Sequence, residues 1–145
     1  MPLVRYRSSL TVLKSIAAGR NIIDRLELFE SYNAELMSYF FKTADVLCAY
    51  PNCLGLLPCS EIINDNYNFR AAPVIRAVFR DLKRYLRLKH EVTGQRVLPI
   101  GYNAADVKQL EFPTRDYLAA GAEAERIDFW AVSDVAASSD RPIER

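Results

Sequence analysis

Asn52-Cys53-Leu54-Gly55-Leu56-Leu57-Pro58-Cys59-Ser60-Glu61-Ile62-Ile63-Asn64-Asp65 is the run on which the reading of the fold turns. Pro51 and Asn52 stop the apolar segment before it, since proline cannot continue a helical hydrogen-bond ladder. Cys53 to Leu57 is short and apolar throughout, the pattern of a strand buried on both faces. Pro58-Cys59-Ser60-Glu61 closes that strand and sets a carboxylate just beyond it. The polar stretch Asn64 to Asn68 follows as a loop.

Outward from this run the pattern alternates. Upstream, Leu28 to Tyr50 carries apolar residues at helical spacing, among them Leu36, Met37, Phe40, Ala44 and Leu47. Downstream, Pro73 opens a helix in its first turn, where a missing N–H does no harm. Ile75, Val78, Phe79, Leu82 and Leu86 then share one face. Arg76, Arg80, Lys83, Arg84 and Arg87 fall largely on the other side and read as a solvated face. Val97 to Gly101 is a second short strand, Thr114 to Ala120 a brief helix closed by Gly121, and Ile127 to Val132 a third strand. Helices alternating with strands predict an α/β architecture of parallel strands joined by crossover helices. No glycine-rich phosphate loop follows a strand, so the nucleotide-binding version of this pattern has no support. In the barrel version, strand ends face the active site, and Glu61, Tyr102, Asp106, Ser133 and Asp134 gather on one rim.

Composition narrows the class of function. Half of the 145 residues are hydrophobic, enough for a buried core, and the charged 26% nearly cancels to a net +1. That balance argues against nucleic acid as a partner, which needs clustered Lys and Arg. Cys48, Cys53 and Cys59 lie five and six residues apart, with the single histidine, His90, remote from them. Structural zinc sites use closer thiolate pairs, so no metal and no cofactor is expected, and the cysteines read as small buried hydrophobes. No apolar run approaches the roughly 20 residues a membrane helix needs. Residues 1–20 hold Arg5, Arg7, Lys14 and Arg20 without an acid, which reads as a basic leader. Its composition resembles that of a mitochondrial presequence, the plainer reading being a short basic helix or a wrongly assigned start. Residues 21–135 form the folded part and 136–145 a polar tail.

At Glu61 the run quoted above resembles the acid/base strand of the fungal β-1,3-glucanosyltransferases, whose pattern is N-x-L-G-F-F-A-G-N-E-V-I-N-D. The resemblance continues in order through Ala71-Ala72-Pro73 (A-A-P) and Arg80-Asp81-Leu82-Lys83 (R-D-M-K). It extends to Pro99-Ile100-Gly101-Tyr102-Asn103-Ala104-Ala105-Asp106 (P-V-G-Y-S-A-A-D), Tyr117-Leu118 with Gly121 (Y-L-x-C-G), and Arg126-Ile127-Asp128-Phe129 (R-A-D-F). Upstream, Ile23-Asp24-Arg25 matches the family's S-I-N/D-R loop. The resemblance implies a fragment of a (β/α)8 TIM barrel covering about its middle strands. It implies retaining transglycosylation, in which one carboxyl group protonates the departing sugar oxygen and a second, about 5–5.5 Å away, attacks the anomeric carbon. Carried over by position, Glu61 is the acid/base, and Ser60, Asn64, Tyr102, Asp106 and Asp24 are substrate-binding. The implied partners are β-1,3-glucan chains as donor and acceptor. The implied location is the cell surface, with membrane contact only through the family's lipid anchor, for which this sequence shows no signal.

The sequence also departs from the family pattern. Ser60 stands where the family has Asn, and Cys59, where it has Gly, is expected to crowd the approach of a glycan. Val135 and Ala137 replace the Tyr and Trp of N-S-Y-x-W-C, removing an aromatic platform for sugars. Ala120 and Ser138 replace cysteines, so disulfides at those positions cannot form. No F-x-S-E-Y-G nucleophile motif occurs. A glucanosyltransferase-like chain with little or no activity in isolation is therefore expected, the alternative being a non-catalytic glycan-binding or interaction remnant.

Overall fold

A computed structural model describes residues 33–133, and its first element begins at a cap. Asn33 is extended (φ −128°, ψ 174°), and its side-chain oxygen accepts from the N–H groups of Glu35 and Leu36 at 3.1 and 3.0 Å. Helix α1 therefore runs Ala34–Cys48, with Leu36, Met37, Phe40, Ala44 and Leu47 buried. Apolar spacing registers a buried face and is blind to a cap, and the first residues of the run from Leu28 lie outside the described residues. Replacing Asn33 with alanine leaves those two N–H groups without the cap oxygen. A loss of about 1 kcal/mol is expected, read as a lower urea midpoint at unchanged slope.

Strand β1 (Leu56–Ser60), helix α2 (Ala72–Thr93), strand β2 (Ile100–Ala105), helix α3 (Lys108–Ala119) and strand β3 (Phe129–Ser133) follow in that order. The strands form one parallel sheet in the order β1-β2-β3, as the alternating pattern predicts. Each strand begins two or three residues later than its apolar run. Leu98 and Ile127 are buried at 3% and 7% yet lie outside the ladder. The ladder opens only where neighbours meet: Leu56 N–H donates to the Pro99 carbonyl at 2.9 Å, and Asp128 N–H to that of Ile100 at 2.7 Å. The chain ahead of β1 is held instead by Arg96, whose guanidinium bonds the carbonyls of Tyr50, Pro51 and Cys53.

β1 also carries a bulge. Leu56 pairs with Ile100 and Cys59 with Tyr102, so three steps on β1 answer two on β2. The surplus falls at Leu57 and Pro58, where a proline without an N–H is tolerated because that stretch is out of the ladder. Leu56 and Cys59 consequently both point into the core, and Ser60 does not.

The 3-10 turn Asn68–Ala71 leads into α2, which buries Val74, Ile75, Val78, Phe79, Leu82 and Leu86 and ends at Gly94 in the left-handed region (φ 71°). Its basic residues are not one solvated face. Arg76 pairs with Glu125 at 3.1 Å and Lys83 with Asp128 at 2.6 Å, tying α2 to the segment before β3. α3 begins six residues before the expected Thr114 and contains Pro113. One missing N–H is survivable there, because the Val107 carbonyl accepts from Leu110 and Glu111 to anchor the first turn. Leu110, Thr114 and Leu118 are buried at four-residue spacing, a helical face disguised by its threonine.

Between α1 and α2, Asp45 accepts from Tyr85 Oη (2.7 Å), Lys89 Nζ (2.9 Å) and Gln95 Nε2 (3.3 Å), while Phe41 stacks on Tyr85 at 4.1 Å. Burial pushes the Asp45 pKa up, but the hydrogen bonds from Lys89, Tyr85 and Gln95 together outweigh it and leave the carboxyl below its ordinary value. A carboxylate with a depressed folded pKa contributes stability above its unfolded pKa and loses it as pH falls through the folded one. The thermal midpoint is therefore expected to drop below about pH 4, with a shallower drop in Asp45→Asn. Equal acid slopes for the two proteins would exclude this source.

The basic leader 1–20, the Ile23-Asp24-Arg25 loop with Asp24, and the stretch from Asp134 through Val135, Ala137 and Ser138 to the polar tail lie outside the described residues.

Candidate active site

The three strands point their C-terminal ends the same way, and Glu61 follows the last residue of β1 directly. It is half-buried, and it alone among the non-glycine described residues has a positive φ, 53°. A glutamate in the left-handed region costs on the order of 1 kcal/mol and persists only where its surroundings hold it. Here the Glu61 N–H donates to the Asn103 carbonyl on β2 at 2.7 Å. Two residues on, the buried Ile63 N–H donates to the Tyr102 hydroxyl at 3.0 Å. β2 thus pins the chain on either side of the turn that presents the carboxylate.

Tyr102 is not on the rim. Its side chain is 0% exposed, packed 5.6 Å from the Trp130 ring. The alternation of β2 turns it inward, where its hydroxyl organises the loop after Glu61 and meets no solvent. Burial, with smaller contributions from nearby Cys59 and Glu61, pushes its pKa up, so the hydroxyl keeps its proton. Cys59 is likewise 0% exposed, and burial raises its thiol pKa. Its side chain therefore fills core volume and does not crowd the rim. Cys48 is buried, Cys53 half-buried, and all three thiols are free.

Ser60, Asn64 and Asp106 do reach the surface near Glu61 in sequence or register. Ser60 is half-buried; Asn64 is exposed and its Oδ1 accepts from Asn68 Nδ2 at 2.7 Å. Asp65 caps the same turn, accepting from the Asn68 N–H at 2.7 Å. Asp106 is exposed immediately after β2.

Asn103 is the residue that sequence reasoning passed over. It sits directly across from Ser60 in the parallel register, and its Nδ2 donates to Ser60 Oγ at 2.8 Å. One residue therefore holds Glu61 by its backbone and Ser60 by its side chain. The signal lay in the two motifs N-E and G-Y-S, which become informative only once the strands are set side by side.

A family model described as glucanosyltransferase matches residues 3–139. This chain belongs to the glucanosyltransferase family. Among relatives of the family, 1,3-beta-glucanosyltransferase gel1 of Aspergillus fumigatus is 38% identical over 112 residues, covering 77% of this chain and 24% of the relative. 1,3-beta-glucanosyltransferase GAS5 of Saccharomyces cerevisiae is 34% identical over 128 residues, covering 88% of this chain and 26% of the relative. Among solved structures, Saccharomyces cerevisiae Gas2p in complex with laminaritriose and laminaritetraose superposes with a TM-score of 0.62 at 25% identity. That match covers 70% of this chain and 22% of Gas2p. The described glucanosyltransferase elements are thus consecutive β/α units of an α/β barrel, and the chain spans 24% to 26% of the length of these two relatives.

Proposed function

We propose that this chain carries the proton-donor side of a β-1,3-glucan transglycosylation site, with Glu61 as acid/base. The observation that supports it most is the strained Glu61 turn at a strand end, held from both sides by β2. A core that fixes a carboxylate in an unfavourable conformation where it can meet solvent is what a positioned catalytic acid requires. In the retaining reaction Glu61 gives its proton to the departing glycosidic oxygen and later takes one from the incoming glucan hydroxyl. The second carboxylate, which attacks the anomeric carbon, is assigned to none of the described residues. In this reading Ser60, Asn64 and Asp106 meet the sugar, and Tyr102 serves as a positioning residue. β-1,3-glucan is the donor and acceptor in this reading, and the cell surface the place of action.

The test is transglycosylation of laminaripentaose by the purified chain and by Glu61→Gln. The expected result is little or no product from either, with laminaripentaose nevertheless causing chemical-shift changes around Glu61 in the wild type. Glu61-dependent product would show that the chain is a complete enzyme by itself. Absence of both product and shift changes would remove the glucan assignment.

A further inference from the structure

Four tyrosine and phenylalanine side chains among the described residues are exposed: Tyr39 on α1, Tyr50 in the connection ahead of β1, Tyr67, and Phe112 on α3. Tyr67 alone belongs to a connection that leaves the C-terminal end of a strand, and it follows Glu61 by six residues. We infer that Tyr67 is a stacking platform for a glucose ring of the bound glucan, a contact separate from the one Glu61 makes with the bond it protonates.

Two features carry this. The first is order. The Asn68 N–H donates to Asp65 Oδ1 at 2.7 Å, and its Nδ2 donates to Asn64 Oδ1 at 2.7 Å and Asp65 Oδ2 at 3.1 Å, so the connection is folded into one turn around Tyr67. The Arg70 guanidinium lies over the Tyr67 ring, 4.4 Å from its centroid, and holds its plane. The ring is therefore set before a ligand arrives, and little side-chain freedom is left to lose on binding. The second feature is chemistry. Tyr67 is 41% exposed, so aromatic surface stays open to solvent at the end of the sheet that carries Glu61. A β-linked glucopyranose holds its hydroxyls equatorially, which leaves both faces of the sugar ring lined by C–H groups. Those weakly positive hydrogens match the negative face of an aromatic ring. A single exposed aromatic is ordinary on a protein surface. One preset in the turn that follows a positioned carboxylate fits a flat sugar face.

This inference rests on the glucan assignment, and the experiment separates the two. Laminaripentaose is titrated into wild type, Y67A, Y67L, Y67F and F112A, following backbone and aromatic-ring signals by NMR, with thermal midpoints recorded for each. The expected result is a shift of the Tyr67 ring signals and roughly five- to tenfold weaker binding in Y67A. Y67L, which keeps apolar bulk without a flat face, is expected to lose as much, and Y67F to stay within about twofold of wild type. F112A removes another exposed ring backed by an arginine, Arg115 at 4.8 Å, and is expected to bind as wild type does. Folded Y67A or Y67L binding as tightly as wild type would overturn the platform and leave the glucan assignment standing, and so would equal losses in Y67A and F112A. Tyr67 ring signals that stay in place while laminaripentaose saturates the wild type would overturn it without any variant. If wild type ignores laminaripentaose, the glucan assignment for this chain fails and the platform with it.

Discussion

Replacing Phe79 with alanine is expected to cost about 3–5 kcal/mol, the largest effect of any substitution considered. The ring is 0% exposed on the inner face of α2, among Ile75, Val78, Leu82 and Leu86. Removing it forfeits the transfer free energy of a whole aromatic side chain and leaves a void that close-packed neighbours refill only in part. Domains of this size are stable by only about 5–15 kcal/mol, so about a fifth or more of the margin disappears. Urea denaturation followed by far-ultraviolet circular dichroism measures it. Phe79→Leu, which keeps most of the volume, is expected to lose well under half as much, and equal losses for the two would mean that the site is not close-packed.

Tyr102→Phe is expected to remove about 1–3 kcal/mol through one atom. The hydroxyl is the acceptor for the Ile63 N–H, and Ile63 is 2% exposed, so no water stands ready to replace it. An orphaned buried donor carries its full desolvation penalty, whereas the ring and its packing on Trp130 remain. The effect is also local. The Ile63 amide is expected to exchange its hydrogen faster in the variant by more than the global loss explains, because the turn after Glu61 opens by itself. Uniformly accelerated exchange would mean that the hydroxyl supports the fold in general and not this turn.

Much of the fold was legible because helices and strands announce themselves by burial. The parallel alternation, the buried face of α2 and the glycine stop at Gly121, which has a positive φ of 89°, follow from apolar spacing and backbone freedom alone. The edges of elements were not legible, since Asn33 acts through a side-chain oxygen and Pro113 looks like a breaker but sits where one lost bond is bearable. The position of Glu61 past a strand was legible, and family motifs gave it chemistry. The inward turn of Tyr102 was not, and Cys59, whose residue type read as a small buried hydrophobe, was set at the rim only by its family position. Which face a strand residue takes depends on register, and the β1 bulge shifts register in a way no alternation pattern encodes.

Gly101 shows how tightly the strand ends are fitted together. A methyl group built on it would come within 2.5 Å of Phe129 Cε2, and one on Gly55 within 2.9 Å of Cε1 of the same ring. The aromatic ring of β3 therefore lies over two bare backbones at once, a close approach only glycine permits.

The surplus residue at Leu57 and Pro58 has an evolutionary meaning beyond its geometry. In a regular strand, gaining or losing one residue rotates everything after it by half a turn, and the carboxylate at the tip would swing from solvent to core. Here the irregularity already absorbs one residue, so a shortening at this spot would return the strand to even pairing with Leu56 and Cys59 still inward and Ser60 still outward. The bulge is thus a joint at which chain length can vary while the aim of Glu61 stays the same.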